Sequence, residues 1–256
     1  MAKGVSIKFK SYQETIPALL RIIKFDIELK KHKSIILKPW LDENELITTP
    51  AVFVEEILKF CLQHKEKDSQ IFIAEGADGE DTKNLYDKHG YSKIAEKFSI
   101  GLIDLNTVEI KEIVNDSFIK FSNIYYPKIL LESFVISLPK LLEDEEIEMR
   151  GAMSNMLGAF PASYYQGFFS NVKNKIRKWP AKYSIHDIVR CKMPEFSVMD
   201  ASEKGFILAG RPLEIDIQAS KLLGKEWKSI GHLKLINDRI AVQESNKNPQ
   251  QAEQLA

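Results

Sequence analysis

Ile35-Ile36-Leu37-Lys38-Pro39-Trp40 decides the fold. Three successive apolar residues leave no polar face, as required of a strand covered on both sides. Lys38 and Pro39 end the run with a charge and a rigid turn. Downstream, Thr49-Pro50 opens a helix as cap and first-turn proline, and Val54, Ile57, Leu58, Cys61 and Leu62 form its buried stripe. Ile71-Phe72-Ile73-Ala74 is the next strand. A polar loop, a helix over about 82–98 and a strand at Leu102-Ile103-Asp104-Leu105 follow. Phe134-Val135-Ile136, Ser197-Val198-Met199 and Phe206-Ile207-Leu208-Ala209 are further strands.

Upstream, Val5, Ile7 and Phe9 alternate with polar residues as in a half-buried strand. Ile16, Leu19, Leu20 and Ile23 mark one helix face, with Pro17 near the first turn. Residues 151–178 read as helical. A helix over about 213–223 stops at Gly224, and a last amphipathic helix covers about 228–241. The stretch 106–132 shows no long clean period and is either a strand pair or an inserted element. The spacing predicts an α/β fold, a mostly parallel sheet with helices on both faces. Six or more strands are expected, with Ile36, Ile73, Val135 and Val198 buried. No linker divides the chain and no repeat appears, so 1–243 reads as a single α/β domain. The polar stretch 244–256 reads as a disordered tail.

Composition narrows the function classes. Lys plus Arg and Asp plus Glu both number 36, a balance that argues against a general nucleic-acid binder, which needs excess positive charge. No apolar run is long enough to cross a bilayer, and the opening MAKGVSIKFK lacks the apolar core of a signal peptide. The expectation is a soluble cytoplasmic protein whose cysteines are reduced thiols. Cys61 and Cys191 are its two cysteines, too few for a disulfide scaffold or for an iron–sulfur cluster held by this chain's own thiolates.

In an open α/β sheet, ligands bind beyond the carboxyl ends of the strands. Lys38 stands at such an end, to meet an anion or to reach solvent. Glu75-Gly76-Ala77-Asp78-Gly79-Glu80-Asp81 follows the next strand. Four carboxylates there would repel phosphate, so this loop either holds a hard cation such as magnesium or is an acidic turn with Asp81 or Thr82 as helix cap. Leu138-Pro139-Lys140 follows the Phe134 strand, and Arg150-Gly151 opens a stretch of small residues where Lys140, Arg150 and Asn155 could converge on an anion. The acidic run Glu143–Glu148 between them reads as a solvated segment.

The segment 171–192 carries Lys173, Lys175, Arg177, Lys178, Lys182, Arg190 and Lys192 against Asp187. It reads as a solvated helix face before a Pro180 break, with a nucleic-acid surface as the other reading. His186-Asp187 is either an acid–base pair or a helix-start Asp beside a surface His. No histidine pairs with another His or a Cys at metal-ligand spacing, and no nucleophile elbow appears.

The pieces IILKPW, TTP, IFIAEG, HGY, LIDLN, VISLPKL, GAMSNMLGAFP, MPEFSVMDA and GFILAGRPLEIDIQASKLLG, in this order over roughly 35–224, resemble the domain-of-unknown-function family 362. Against the family pattern, Lys38 and Pro39 match, while Trp40 replaces an Asn. Leu138-Pro139-Lys140 is kept, and the Lys-Thr-His that usually follows is replaced by the acidic run. Gly151, Ala152, Asn155 and Gly158 match, with Ser154 where a Lys usually stands. The glycine-rich segment after Asp200 is nearly deleted. Of the Asp-Pro-x-x-x-Asp motif, Arg211-Pro212-Leu213-Glu214-Ile215-Asp216 keeps the second Asp. Many relatives carry a C-terminal ferredoxin-type iron–sulfur module, which this sequence lacks. The resemblance implies an α/β fold with a pocket built from these loops, and supplies no reaction.

Two functions follow as expectations. One is binding of a small anionic ligand or cofactor at the carboxyl ends of the strands. Lys38, Lys140, Arg150 and Asn155 would be the ligand-binding residues, with Glu75, Asp200 and Asp216 for metal or proton-transfer chemistry. The other is a non-catalytic binding or scaffold protein that has lost the family's active-site His and Lys. Lys38, Glu75, Lys140 and Asp216 are expected to meet in one pocket.

Overall fold

The computed structural model describes residues 4–247. Strands β1 (Val5–Lys8), β2 (Ser34–Lys38), β3 (Gln70–Glu75), β4 (Gly101–Asp104), β5 (Ile110–Ile113), β6 (Ile124–Pro127), β7 (Phe134–Ser137), β8 (Leu142–Asp144), β9 (Glu148–Arg150), β10 (Phe196–Ala201) and β11 (Phe206–Gly210) alternate with helices. The helices are α1 (Tyr12–Ile22), α2 (Phe25–Leu29), α3 (Ala51–His64), α4 (Thr82–Lys88), α5 (Tyr91–Phe98), α6 (Lys128–Glu132), α7 (Ala162–Tyr165), α8 (Ala181–Cys191), α9 (Pro212–Leu222) and α10 (Gly231–Lys247). The main sheet has seven strands in the order β1-β11-β10-β7-β2-β3-β4. The run from β10 to β4 is parallel, and β11 and β1 add antiparallel at one edge. The expected α/β class, with its mostly parallel sheet, is the fold observed.

The pleat sends alternate residues to two cores. Ile35, Leu37, Ile73, Ile136 and Val198 pack against α1, α2, α3 and α5. Ile36, Val135, Met199 and Leu208 pack against α8, α9, α10 and the 151–160 stretch. Ile36, Ile73, Val135 and Val198 are fully buried. A strand covered on both faces has no polar side, which is why its sequence runs apolar rather than alternating.

The connections place the site. From β2 the chain crosses to β3 and then β4 through helices on the first face. After β4 it returns to the other side of β2 as β7, and crosses to β10 over the second face. The order therefore reverses between β2 and β7, and the loops leaving their carboxyl ends diverge to open a crevice.

Several expectations are corrected. Residues 151–178 are not one helix but a 3-10 turn at Ser154–Ala159, the short α7 and a second 3-10 turn at Asn174–Arg177. Residues 151–156 and 158–161 are buried, so that part has no solvent face, and Pro161 interrupts the stretch before its exposed second half. The helix over 82–98 is two, α4 and α5, separated at Gly90, whose φ of 82° is a left-handed turn that glycine adopts without strain. Helix α1 starts earlier than expected: Ser11 Oγ accepts from Glu14 N, and Pro17 lies inside the helix. Thr49 does not cap α3. Pro50 occupies that position, and Thr49 Oγ1 instead accepts from Trp40 N and donates to the Leu138 carbonyl, tying the β2 and β7 loops together.

The ambiguous stretch 106–132 contains the β5–β6 hairpin and α6. Asp187, fully buried, fastens it by accepting from the amides of Ile119, Lys120 and Phe121. Burial would raise the Asp187 carboxyl, but His186 and these amides outweigh it and hold it below the usual range. His186 and Asp187 are thus an interior anchor, neither a surface pair nor placed at a strand end. Helix α10 runs to Lys247, into the stretch expected as tail; the rest of that stretch, 248–256, lies outside the described residues.

Candidate functional site at the carboxyl ends of the strands

Lys38 ends β2 and is fully buried. Its ammonium donates to Glu75 Oε2 at 2.6 Å and to the Asn155 carbonyl at 2.6 Å. Glu75 ends β3 beside it, also buried. Parallel pairing with Leu37 opposite Ile73 brings these two strand ends together although they lie far apart in sequence. Burial pushes the Lys38 amine down and the Glu75 carboxyl up, and their attraction opposes both shifts.

The 3-10 turn at Ser154–Ala159 lies across the crevice. Asn155 Nδ2 donates to the Lys38 carbonyl at 2.8 Å and to Ser137 Oγ, at the end of β7, at 2.9 Å. Asn155 therefore bridges the two strands between which the order reverses. Gly158 is required by contact: a β-carbon there would lie 1.8 Å from Glu75 Oε1. This glycine lets backbone close directly over the ion pair.

Asp216, in α9, holds the same turn from behind. It is fully buried and accepts from Ala152 N at 2.7 Å and Met153 N at 2.9 Å. Burial raises its carboxyl to about 7, with the two amide bonds pulling the other way. Gly151 makes room for it, since a β-carbon would fall 2.5 Å from Asp216 Oδ1.

Above the ion pair is a cavity of about 170 Å³, lined by Trp40, Glu75, Arg150, Gly158, Lys173 and Arg177 among others. Four carboxylates belong to the lining. Glu75 is paired with Lys38, and Asp78 and Glu146 with Arg177, which leaves Asp42. Arg150 donates through Nε to Asp144 Oδ2 at 2.8 Å and lies over the Trp40 ring at 4.7 Å. Arg150 Nη1 and Trp40 Nε1 are both buried donors without a hydrogen-bond partner. Such orphans are rare in folded proteins because each forfeits hydration.

Lys173 is the residue that sequence reasoning missed as part of the site. It sits in the basic 171–192 segment, yet it is buried, and Nζ donates to the Gly76 carbonyl at 2.8 Å and, at 3.4 Å, to that of Gly158. Its backbone N donates to Asp78 Oδ1 at 2.7 Å. Burial lowers its amine to about 8. Nothing in a run of lysines marks which one turns inward. The segment as a whole is not one solvated helix face: Arg177 pairs with Asp78, Arg190 Nε donates to Ser117 Oγ, and Lys192 Nζ donates to the Leu131 and Ser133 carbonyls.

Not all of the expected residues gather here. Lys38, Glu75 and Asn155 touch, Arg150 lines the cavity above them, and Asp216 reaches the group only through the backbone of Ala152 and Met153. Lys140 lies elsewhere. It is the third residue past β7, bridges backbone to backbone with Asp200, and its ammonium meets Glu203 and the Leu46 carbonyl, both at 2.8 Å. Asp200 accepts from Tyr12 Oη at 2.8 Å and from Ser202 N. The single pocket expected for Lys38, Glu75, Lys140 and Asp216 therefore divides, because the extension after β7 follows β10 away from β2. Lys140→Ala is expected to leave ligand affinity at the cavity unchanged and to shift stability by no more than about 1 kcal/mol, as for a part-exposed ion pair. Calorimetric titration and urea denaturation would check both.

The acidic loop is likewise accounted for. Asp81 caps α4 by accepting from Lys83 N and Asn84 N, and Asp78 is held as described. Among the described residues no group of three or more His, Cys, Asp or Glu is arranged to hold a metal. Cys61 packs in the first-face core and Cys191 against the second, with the sheet between them. Burial pushes both thiols up. No helix among the described residues is long and apolar enough to cross a membrane.

Fold and site define an α/β protein with a cavity at the carboxyl ends of its parallel strands, floored by a buried ion pair. Residues 35–221 match the family model described as Domain of unknown function (DUF362), and the chain belongs to that family. No curated protein matches the chain.

Proposed function

We propose that the cavity binds a small anionic ligand carrying a carboxylate or phosphate, with Arg150 and Trp40 as its N–H donors. Lys38, Glu75 and Lys173 form the ionisable floor, suited to holding or moving a proton. Asn155 and Asp216 position that floor, and Asp200 and Lys140 lie outside it. The observation that carries this reading is the burial of Lys38, Glu75 and Lys173 together beneath a cavity whose Arg150 and Trp40 retain unpartnered donors. A fold has no need of three buried ionisable groups, since apolar residues of similar volume fill a core at least as stably. The alternative, a scaffold without a ligand, gives the three buried ionisable groups beneath the cavity no role.

The test is thermal denaturation with phosphate, oxalate, malonate and pyruvate, each supplied in excess. A ligand of the native state raises the melting temperature by mass action. At least one of these anions is expected to do so for the natural chain, with the shift lost in Arg150→Ala and reduced in Trp40→Phe. No shift with any of them, or equal shifts in all three proteins, would refute the reading.

A further inference from the structure

Two lysines are buried among the described residues, Lys38 and Lys173, and their partners differ in kind. Lys38 is neutralised by Glu75 at 2.6 Å. Lys173 Nζ is held by carbonyl oxygens of Gly76 and Gly158, and no carboxylate among the described residues forms an ion pair with it. A buried ammonium held by carbonyl oxygens, with Glu75 and Asp78 acting on it only through space, is released as a neutral amine more readily than one in direct contact with a carboxylate. The carbonyl oxygens of Gly76 and Gly158 accept hydrogen bonds from either form, so the nitrogen keeps its place when it loses the proton. Lys173 also lines the cavity that contains Arg150 and Trp40, and a neutral amine in a partly closed pocket is a nucleophile toward carbonyl carbon.

We propose that the ligand class is the small 2-oxo acids, and that Lys173 condenses with the ligand's carbonyl carbon to form an imine. This rests on the anion-binding reading above, which supplies the carboxylate's partners. The nitrogen lone pair attacks the carbonyl carbon, a C–N bond forms, and the nitrogen's two hydrogens leave with the carbonyl oxygen as water. The C=O bond is replaced by C=N, with no oxidant or reductant consumed. Lowering of the Lys173 amine to about 8 by burial is consistent with this role, because a useful fraction is then neutral near pH 7. Glu75, beside it and raised by burial, is placed to carry protons during loss of water.

The experiment uses the full chain with pyruvate or glyoxylate and sodium cyanoborohydride, followed by intact-mass measurement and peptide mapping. The reduced adduct is expected predominantly on Lys173, rising as pH goes from about 6 to about 8. Oxalate should compete it away, and Arg150→Ala should slow it at least tenfold. Lys173→Met should abolish it, with circular dichroism reporting whether that variant folds; mapping of the unaltered chain carries the test if it does not. Adduct spread over exposed lysines, or none at Lys173, overturns the proposal. If oxalate stabilises the protein while no adduct forms at Lys173, imine formation alone is refuted and anion binding stands. If no anion stabilises it, both are refuted.

Discussion

Lys38→Met is expected to destabilise the protein by about 3–5 kcal/mol near neutral pH, the usual cost of removing one partner of a buried pair. The methionine fills most of the lysine's volume, so the loss comes from Glu75, whose carboxylate loses its direct partner in a closed environment and keeps only the weaker through-space attraction of Lys173. The Asn155 carbonyl also loses its donor. Glu75 then escapes the penalty by taking up a proton. Its folded-state carboxyl is already raised by burial, and removing Lys38 raises it further. A group raised in the folded state stabilises fully below its unfolded value and less as pH increases through its folded value. The defect of Lys38→Met should therefore shrink as pH is lowered from about 7 to about 5. Urea denaturation at several pH values checks this. Lys38→Met with Glu75→Leu should recover a substantial part of the loss, because an apolar pair avoids desolvation of both charges. A pH-independent defect of the single variant, or a double variant no better than it, would contradict the assignment.

Asp216→Ala carries the second large effect. Two backbone donors, Ala152 N and Met153 N, lose their acceptor in a closed interior, at about 1–3 kcal/mol for each orphaned group. The turn that positions Asn155 depends on them, so stability and ligand affinity should fall together. The pH dependence has a definite sign. The Asp216 carboxyl is raised to about 7 by burial, so its contribution is complete below the unfolded value and is lost as pH rises toward 7. The gap between natural and variant chains is therefore widest below about pH 4 and narrows by up to about 1.4 kcal/mol per pH unit on the way to 7. Urea melts at about pH 5 and about pH 8 separate this from a plain loss of packing, which gives the same gap at both.

These effects rest on residues that were unequally visible in the sequence. Lys38 and Glu75 could be singled out because each ends an apolar run, and the carboxyl ends of parallel strands share an edge. Asn155, Gly158 and Asp216 were visible through the family's motifs. What each one does was not. Asp216 reads as a candidate metal or proton-transfer acid, but it is a clamp on two amides, and Lys140 reads as a ligand-binding cation, but it follows β10 to another surface. Lys173 had no local mark, because whether one lysine in a basic run turns inward depends on Gly76 and Gly158, distant in the chain.

The sequence by itself determined the seven strands of the main sheet, most helices, and a parallel sheet with two covered faces, but not the small β5–β6 and β8–β9 hairpins. Those properties follow from short-range periodicity: a doubly buried strand must be apolar throughout, and a helix must keep one apolar stripe. Only the tertiary structure decided the irregular second crossover between β7 and β10. There, buried turns replaced the expected helix because backbone groups find partners in Lys38, Asp216 and Lys173 rather than in their own next turn. Long-range hydrogen bonds of that kind impose no spacing on the chain, so they leave no pattern to read. Arg150 and Lys173 come from the same crossover, which closes the cavity over the loops that follow β2 and β3.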